Sequence, residues 1–230
     1  MAMPVWETLD SRNHAALRIG VPLTRERLFV QIVAAEFESA AARFPVLFSK
    51  NADTGAFYAG AMLGLQANRP LFADSRDDED AQRLFDLARE GFYVADDTIV
   101  IDRDHQRFAA GEGTALFDGD GQPDAALRRV QHALAQLSTG LGSTDRFIQR
   151  CLALKLIEPI DLSFRFDDGE RLTLDGLYTI SRDALSALDD ATALDLFRQG
   201  YLQLAYAVIG SLQHVARLAR LHNDRLAELA

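Results

Sequence analysis

The sequence predicts an α+β protein: an antiparallel or mixed sheet packed with helices, ending in a long buried C-terminal helix. Three observations predict it. Apolar and polar residues alternate on both sides of Asp168-Gly169, a pattern that makes a β-hairpin around a turn dipeptide. Leu127, Val130, Leu134 and Leu137 recur at helical spacing and define one apolar stripe. Residues 201–212 are apolar nearly all round, which in a helix demands burial on several sides. The elements do not alternate strand–helix–strand throughout, so a doubly wound parallel sheet is disfavoured.

Taken in order, residues 1–15 form an N-terminal arm, with Trp6 as an anchor onto the body. Leu17, Ile19, Val21 and Leu23 alternate with other residues and give a short strand ended near Pro22. From Ile32 to Phe44 the spacing becomes helical, with Val33, Phe37, Ala40, Ala41 and Phe44 on one side, and Pro45 stops it. Residues 46–49 and 56–63 read as paired strands around a turn at 51–55. The acidic stretch 69–80 is a solvated loop, and Ala81, Leu84, Phe85 and Ala88 then form a helix that Gly91 ends. Strands follow at 92–94 and 98–101.

Asp124 caps the next helix and Gly140 closes it; Ser143 or Thr144 caps another, carrying Phe147, Ile148, Cys151 and Leu152. The hairpin pairs 161–166 with 171–180 and turns Leu162, Phe164, Leu172 and Leu174 to the core. Short helices at 184–188 and 191–199 lead to one long helix over about 201–226, whose later turns pack through a single stripe while Arg217, Arg220 and Arg225 face water.

Composition narrows the function classes. The chain of 230 residues is 48% hydrophobic and 25% charged, an ordinary balance for a domain with a real core. Its net charge of −10, without a Lys/Arg run, argues against nucleic acid or an anionic membrane as partner. The apolar run at 201–212 is too short to span a bilayer, so no transmembrane segment is expected. The start lacks the basic patch and long apolar core of a secretory signal, and the lone Cys151 cannot form an internal disulfide. Both features fit a cytoplasmic protein.

Several residues invite chemistry. His14 has the titration range for a functional role, though a hydrogen bond fixing the arm suits it better. Glu36, beside Phe37 on an apolar helix, is a candidate buried acid or an ordinary paired carboxylate. Asp118, Asp120 and Asp124 lack the further ligands and closing glutamate of a calcium loop and read as a turn. Asp102–His105 ("DRDH") sets carboxylates beside an imidazole, but His14, His132, His214 and His222 supply no paired ligands. His214 and His222 lie roughly 12 Å apart along a helix axis. No metal is therefore expected. Cys151 reads as buried filler. There is no GxSxG elbow, no GxGxxG fingerprint and no GxxxxGK[ST] loop, and no cofactor is expected.

The segments "LFDGDGQP" (116–123), "TDRFI" (144–148), "LIEP" (156–159), "FDDGERLTLDGLYTIS" (166–181) and "FRQGYLQLAYAVIGSL" (197–212) occur in that order. Together with "LDSRNHAALRI" and "VAAEFESAAARFPVLF" near the start, they resemble the SapC-like family of bacterial proteins. The resemblance implies one SapC-like domain over 1–230, with 74–111 departing most from the family pattern. It further implies an accessory protein of a bacterial surface-layer or outer-membrane uptake system, binding a protein partner or a small ligand. The family supplies no catalytic residues. The alternative is an enzyme acting on a small molecule, with a halogenase-like flavoprotein. A structural subunit of a surface layer is a third reading, and the oligomeric state is open.

Overall fold

Alternation and helical spacing both become real elements, some split into shorter pieces and one, the helix Ala125–Ala153, longer than the sequence suggests. The computed structural model describes residues 6–22, 27–66, 76–109 and 113–229. In chain order the elements begin with β1 (Trp6–Thr8), β2 (Arg18–Ile19), β3 (Phe29–Gln31) and a 3-10 turn (Ala34–Glu36). Next come α1 (Phe37–Ala41), β4 (Val46–Lys50), β5 (Phe57–Met62), α2 (Arg76–Ala81), α3 (Phe85–Ala88) and β6 (Phe92–Ala95). The middle holds β7 (Thr98–Asp102), α4 (Gln106–Ala109), β8 (Thr114–Ala115) and α5 (Ala125–Ala153). The remainder is β9 (Ile157–Pro159), β10 (Leu162–Arg165), β11 (Arg171–Leu174), β12 (Leu177–Ile180), α6 (Arg182–Ser186), α7 (Asp190–Arg198), α8 (Tyr201–Ser211) and α9 (Gln213–Leu229). Helices combine with antiparallel pairings, so the α+β class holds.

The chain divides into two compact units, Met1–Thr24 with Glu79–Thr139, and Arg25–Asp78 with Gly140–Ala230. In the first, β1, β7 and β6 form an antiparallel sheet, and β2 pairs with β8. The β6–β7 hairpin turns through Asp96 and Asp97, both at positive φ, the conformation a two-residue hairpin loop needs to match strand twist. Its core gathers Ile19, Phe92, Ile101, Phe108, Leu116 and Leu127. Trp6 packs edge-on against Tyr93 with ring centroids 4.7 Å apart.

The second unit is built on the antiparallel sheet β3-β5-β4-β12-β9. The β4–β5 turn is held by the Asn51 side chain, which accepts from the backbone N–H groups of Asp53 and Thr54. The β10–β11 hairpin pairs Leu162 with Leu174 and Phe164 with Leu172, as the alternation predicts. Leu162 is buried and the other three are half-buried. Asp175 and Gly176 interrupt the return strand, Gly176 at φ +74°, and β12 then joins the larger sheet. Phe147 sits at the centre of this unit, against the rings of Phe37, Phe48 and Tyr201.

Several expected boundaries move. The helix expected from Ile32 is extended at Val33 and becomes a 3-10 turn and then the short α1, because the Glu36 carboxylate accepts from the Val33 N–H. The expected loop up to Asp80 is already helical from Arg76; its earlier part, 69–75, lies outside the described residues, as does Leu23. Gly140 does not end a helix, and α5 runs on through it to Ala153. A Cβ at Gly140 would stand 2.8 Å from Val33, so this glycine serves a close approach. Ser143 and Thr144 donate back to the Gly140 carbonyl instead of starting a helix. The C-terminal run breaks at Leu212 into α8 and α9, where the buried Ser211 hydroxyl accepts from the Val46 N–H at 2.8 Å. Burial of α8 is one-sided rather than all round: Ala205, Val208 and Ile209 are covered, while Tyr206 is 59% exposed.

Candidate functional site

The first unit contains a cavity of about 710 Å³. Its lining comes from the end of β2 (Ile19, with Gly20 and Val21 after it), from α2 and α3, from Arg107 on α4, from the start of β8 and from α5. On α5 the helical repeat explains the mixture of lining groups. Ala126, Val130 and Ala133 are the buried stripe, and Arg128, Arg129 and His132 flank it toward solvent. Four arginines line the cavity, Arg83, Arg107, Arg128 and Arg129, against the single carboxylate of Glu79 among the described residues. In a chain of net charge −10, arginines thus dominate the charged lining of this concavity, with Asp80 and Asp124 standing beside Arg83 and Arg128.

Arg107 is the buried member, 7% exposed. Its Nε donates to the Gly20 carbonyl at 3.0 Å, and Nη1 donates to the carbonyls of Ala88 and Glu90 at 2.8 and 3.0 Å. The Arg107 carbonyl in turn accepts from the Gly20 N–H at 2.8 Å. One guanidinium therefore ties the chain after β2 to the end of α3. Burial pushes its pKa down to about 10; Glu90 opposes this and Arg129 adds to it. It remains a cation at neutral pH.

The other three arginines reach outward. Arg83 meets Asp80 only at 3.6 Å and its side chain is 78% exposed. Arg128 meets Asp124 at 3.9 Å and is 68% exposed. Arg129 is exposed and forms no ion pair among the described residues. Phe85 and His132 pack edge to face, with ring centroids 5.6 Å apart, and add an aromatic wall. Guanidinium forks match the planar oxygens of carboxylate and phosphate.

The residues singled out from sequence lie elsewhere. His14, in the first unit, is 6% exposed; its Nε2 stands 2.9 Å from Glu7 Oε2 on β1, and its Nδ1 lies 3.2 Å from the Asp10 backbone. That geometry fastens the N-terminal segment. Glu36, in the second unit, is 3% exposed and accepts from Val33 at 3.0 Å. Neither lines the cavity, and they belong to different units. Burial pushes the Cys151 thiol up to about 12, with Arg150 opposing, so it is no nucleophile. Asp118 accepts from the N–H groups of Asp120 and Gln122, and Asp124 accepts from that of Ala125, so "DGDGQPD" is a turn and helix cap. His214 bonds the Ala41 carbonyl and His222 stacks on Phe166. Among the described residues no three His, Cys, Asp or Glu side chains are grouped to hold a metal ion, and no helix is long and apolar enough to cross a membrane.

Sequence reasoning passed over all four arginines. Arg128-Arg129, four and three residues before His132, was the one local signal; Arg83 and Arg107 each stand alone in their segments.

A family model described as SapC matches residues 9–218 of the chain. No curated protein and no solved structure matches it. The protein belongs to the SapC family.

Proposed function

We propose that this SapC-family protein is a cytoplasmic accessory protein of a bacterial surface-layer or outer-membrane uptake system, and that it works by binding a small ligand in the cavity of its first unit. The observation that carries this reading is the cavity itself, of a size that suits one small molecule. Its polar lining is dominated by arginines, which stay protonated and exchange no protons near neutrality, so it is equipped for holding more than for acid–base chemistry. Nucleic acid is not the partner proposed, because a long polyanion would meet the chain's overall negative charge.

The test is native mass spectrometry of the protein isolated gently from bacterial cells. A small-molecule adduct is expected in the wild-type chain and lost in Ala88→Trp, which places a large side chain into the lining. Wild type without any adduct, together with no thermal shift on adding a small-molecule extract of the cells, would overturn the reading. A protein partner is a second reading, favoured by Leu194, Phe197 and Tyr206, which α7 and α8 leave 46%, 69% and 59% exposed.

A further inference from the structure

Arg150 and Asp195 show what a committed ion pair looks like in this molecule: 2.9 Å between Nη2 and Oδ2, with both side chains partly covered. Around the cavity the pairs are of another kind. Arg83 and Arg128 stand 3.6 and 3.9 Å from their carboxylates, too far for charge-assisted hydrogen bonds, which close to about 2.8 Å. Arg129 has no ion pair among the described residues and adds to the like-charge repulsion on Arg107. Cations gathered in a concavity repel one another, and the cheapest relief is an anion that several of them share. Among the described residues the nearby carboxylates are Glu79 in the lining, Asp80 and Asp124 at those longer distances, and Glu90 near Arg107, and none of these closes a charge-assisted hydrogen bond onto Arg83, Arg128 or Arg129. The same cavity also presents carbon: Ile19, Val21, Phe85 and Val130 are among its lining residues, and Val21 is left 69% exposed.

We infer that the ligand is a small molecule with a multivalent oxyanion group, a phosphate or clustered carboxylates, joined to an apolar portion. The oxyanion is shared by Arg83, Arg128 and Arg129, Arg83 and Arg128 exchanging their longer contacts with Asp80 and Asp124 for it. Arg107 already spends Nε and Nη1 on three backbone carbonyls, so it contributes charge from below and keeps the wall in place. The apolar portion lies against Val21 and Phe85. This inference rests on the reading of the cavity as a ligand site.

The experiment is calorimetric titration of the full chain with inorganic phosphate, citrate and phenyl phosphate, alongside benzyl alcohol and phenethylamine as neutral and cationic probes of similar apolar bulk. Phenyl phosphate is expected to bind more tightly than phosphate, and all three anions to weaken as salt is raised. Arg129→Gln and Arg128→Gln should each weaken phenyl phosphate about tenfold or more, since each removes a hydrogen bond to a charged group. Arg198→Gln, an exposed arginine of the second unit, should leave it unchanged. Equal loss in Arg198→Gln would mean general surface attraction and would overturn the inference. Binding of benzyl alcohol or phenethylamine that Ala88→Trp abolishes, with no anion bound, would refute the ligand class while leaving the cavity reading intact. No binding by any probe, with no adduct in native mass spectrometry, would remove both.

Discussion

The two units hold themselves together by different means. The second has a five-stranded sheet and a nest of rings around Phe147, which is fully buried and touches Phe37, Phe48 and Tyr201. The first has shorter strands, and polar fasteners close it: Arg107 onto three carbonyls, His14 onto Glu7, Asp118 onto its own turn. An apolar core is non-directional and tolerates no voids, whereas a fastener fixes a few atoms and leaves room beside them. The cavity is found in the unit built the second way.

The contrast breaks first at Phe147. Phe147→Ala should destabilise the second unit by about 3–5 kcal/mol, the cost of removing a buried ring and leaving a hole. Urea unfolding followed by far-UV circular dichroism measures it, and a loss below about 1 kcal/mol would mean that the ring cluster is not the core.

Cys151 sharpens the same point chemically. With its pKa raised to about 12, the thiol is protonated at pH 8, leaving roughly a thousandfold less thiolate than an ordinary cysteine. A chromogenic disulfide reagent should therefore find no reactive thiol in the folded protein and one in urea. Fast labelling of the native chain would show that this interior opens readily.

Arg107→Met tests the fastened unit. It keeps much of the side-chain bulk but strands the carbonyls of Gly20, Ala88 and Glu90, and should cost about 2–3 kcal/mol. Hydrogen exchange should rise around β2, α3 and α4 while the five-stranded sheet keeps its protection. A uniform rise across both units would erase the distinction between them.

How much of this was legible in the sequence follows from the same distinction. Period-two alternation specifies one face, and the β10–β11 register came out as the pattern required. Capping was less legible: Ser143 and Thr144, expected to start a helix, donate back to the Gly140 carbonyl inside α5, while sequence reasoning passed over Asp189, which accepts from Thr192 at the start of α7. Gly140 misled because a glycine at a helix end and a glycine under a crossing side chain look the same in one dimension. Glu36 and His14 were found as unusual residues, and both proved to hold backbone in place. The cavity was illegible because its arginines come from separate segments, and an arginine on a helix ordinarily means a solvated face.

The smallest effect is expected at Arg220, and its smallness carries information. On α9, Leu218 and His222 are buried at 1% and 2% exposure, while Arg220, two residues from each, is exposed. Two residues along a helix turn the side chain through about 200°, so a helix covered at 218 and 222 presents 220 to water. Arg220→Ala removes an exposed side chain and substitutes the best helix former, so stability should change by no more than about 0.5 kcal/mol. Ile209→Ala, on the covered face of α8, should by contrast cost about 2–5 kcal/mol in the same urea titration. Near-equal losses would mean that α9 is covered on both sides and that the polar face of the C-terminal helices is itself an interface; a wide gap would confirm that these helices seal the second unit through one stripe.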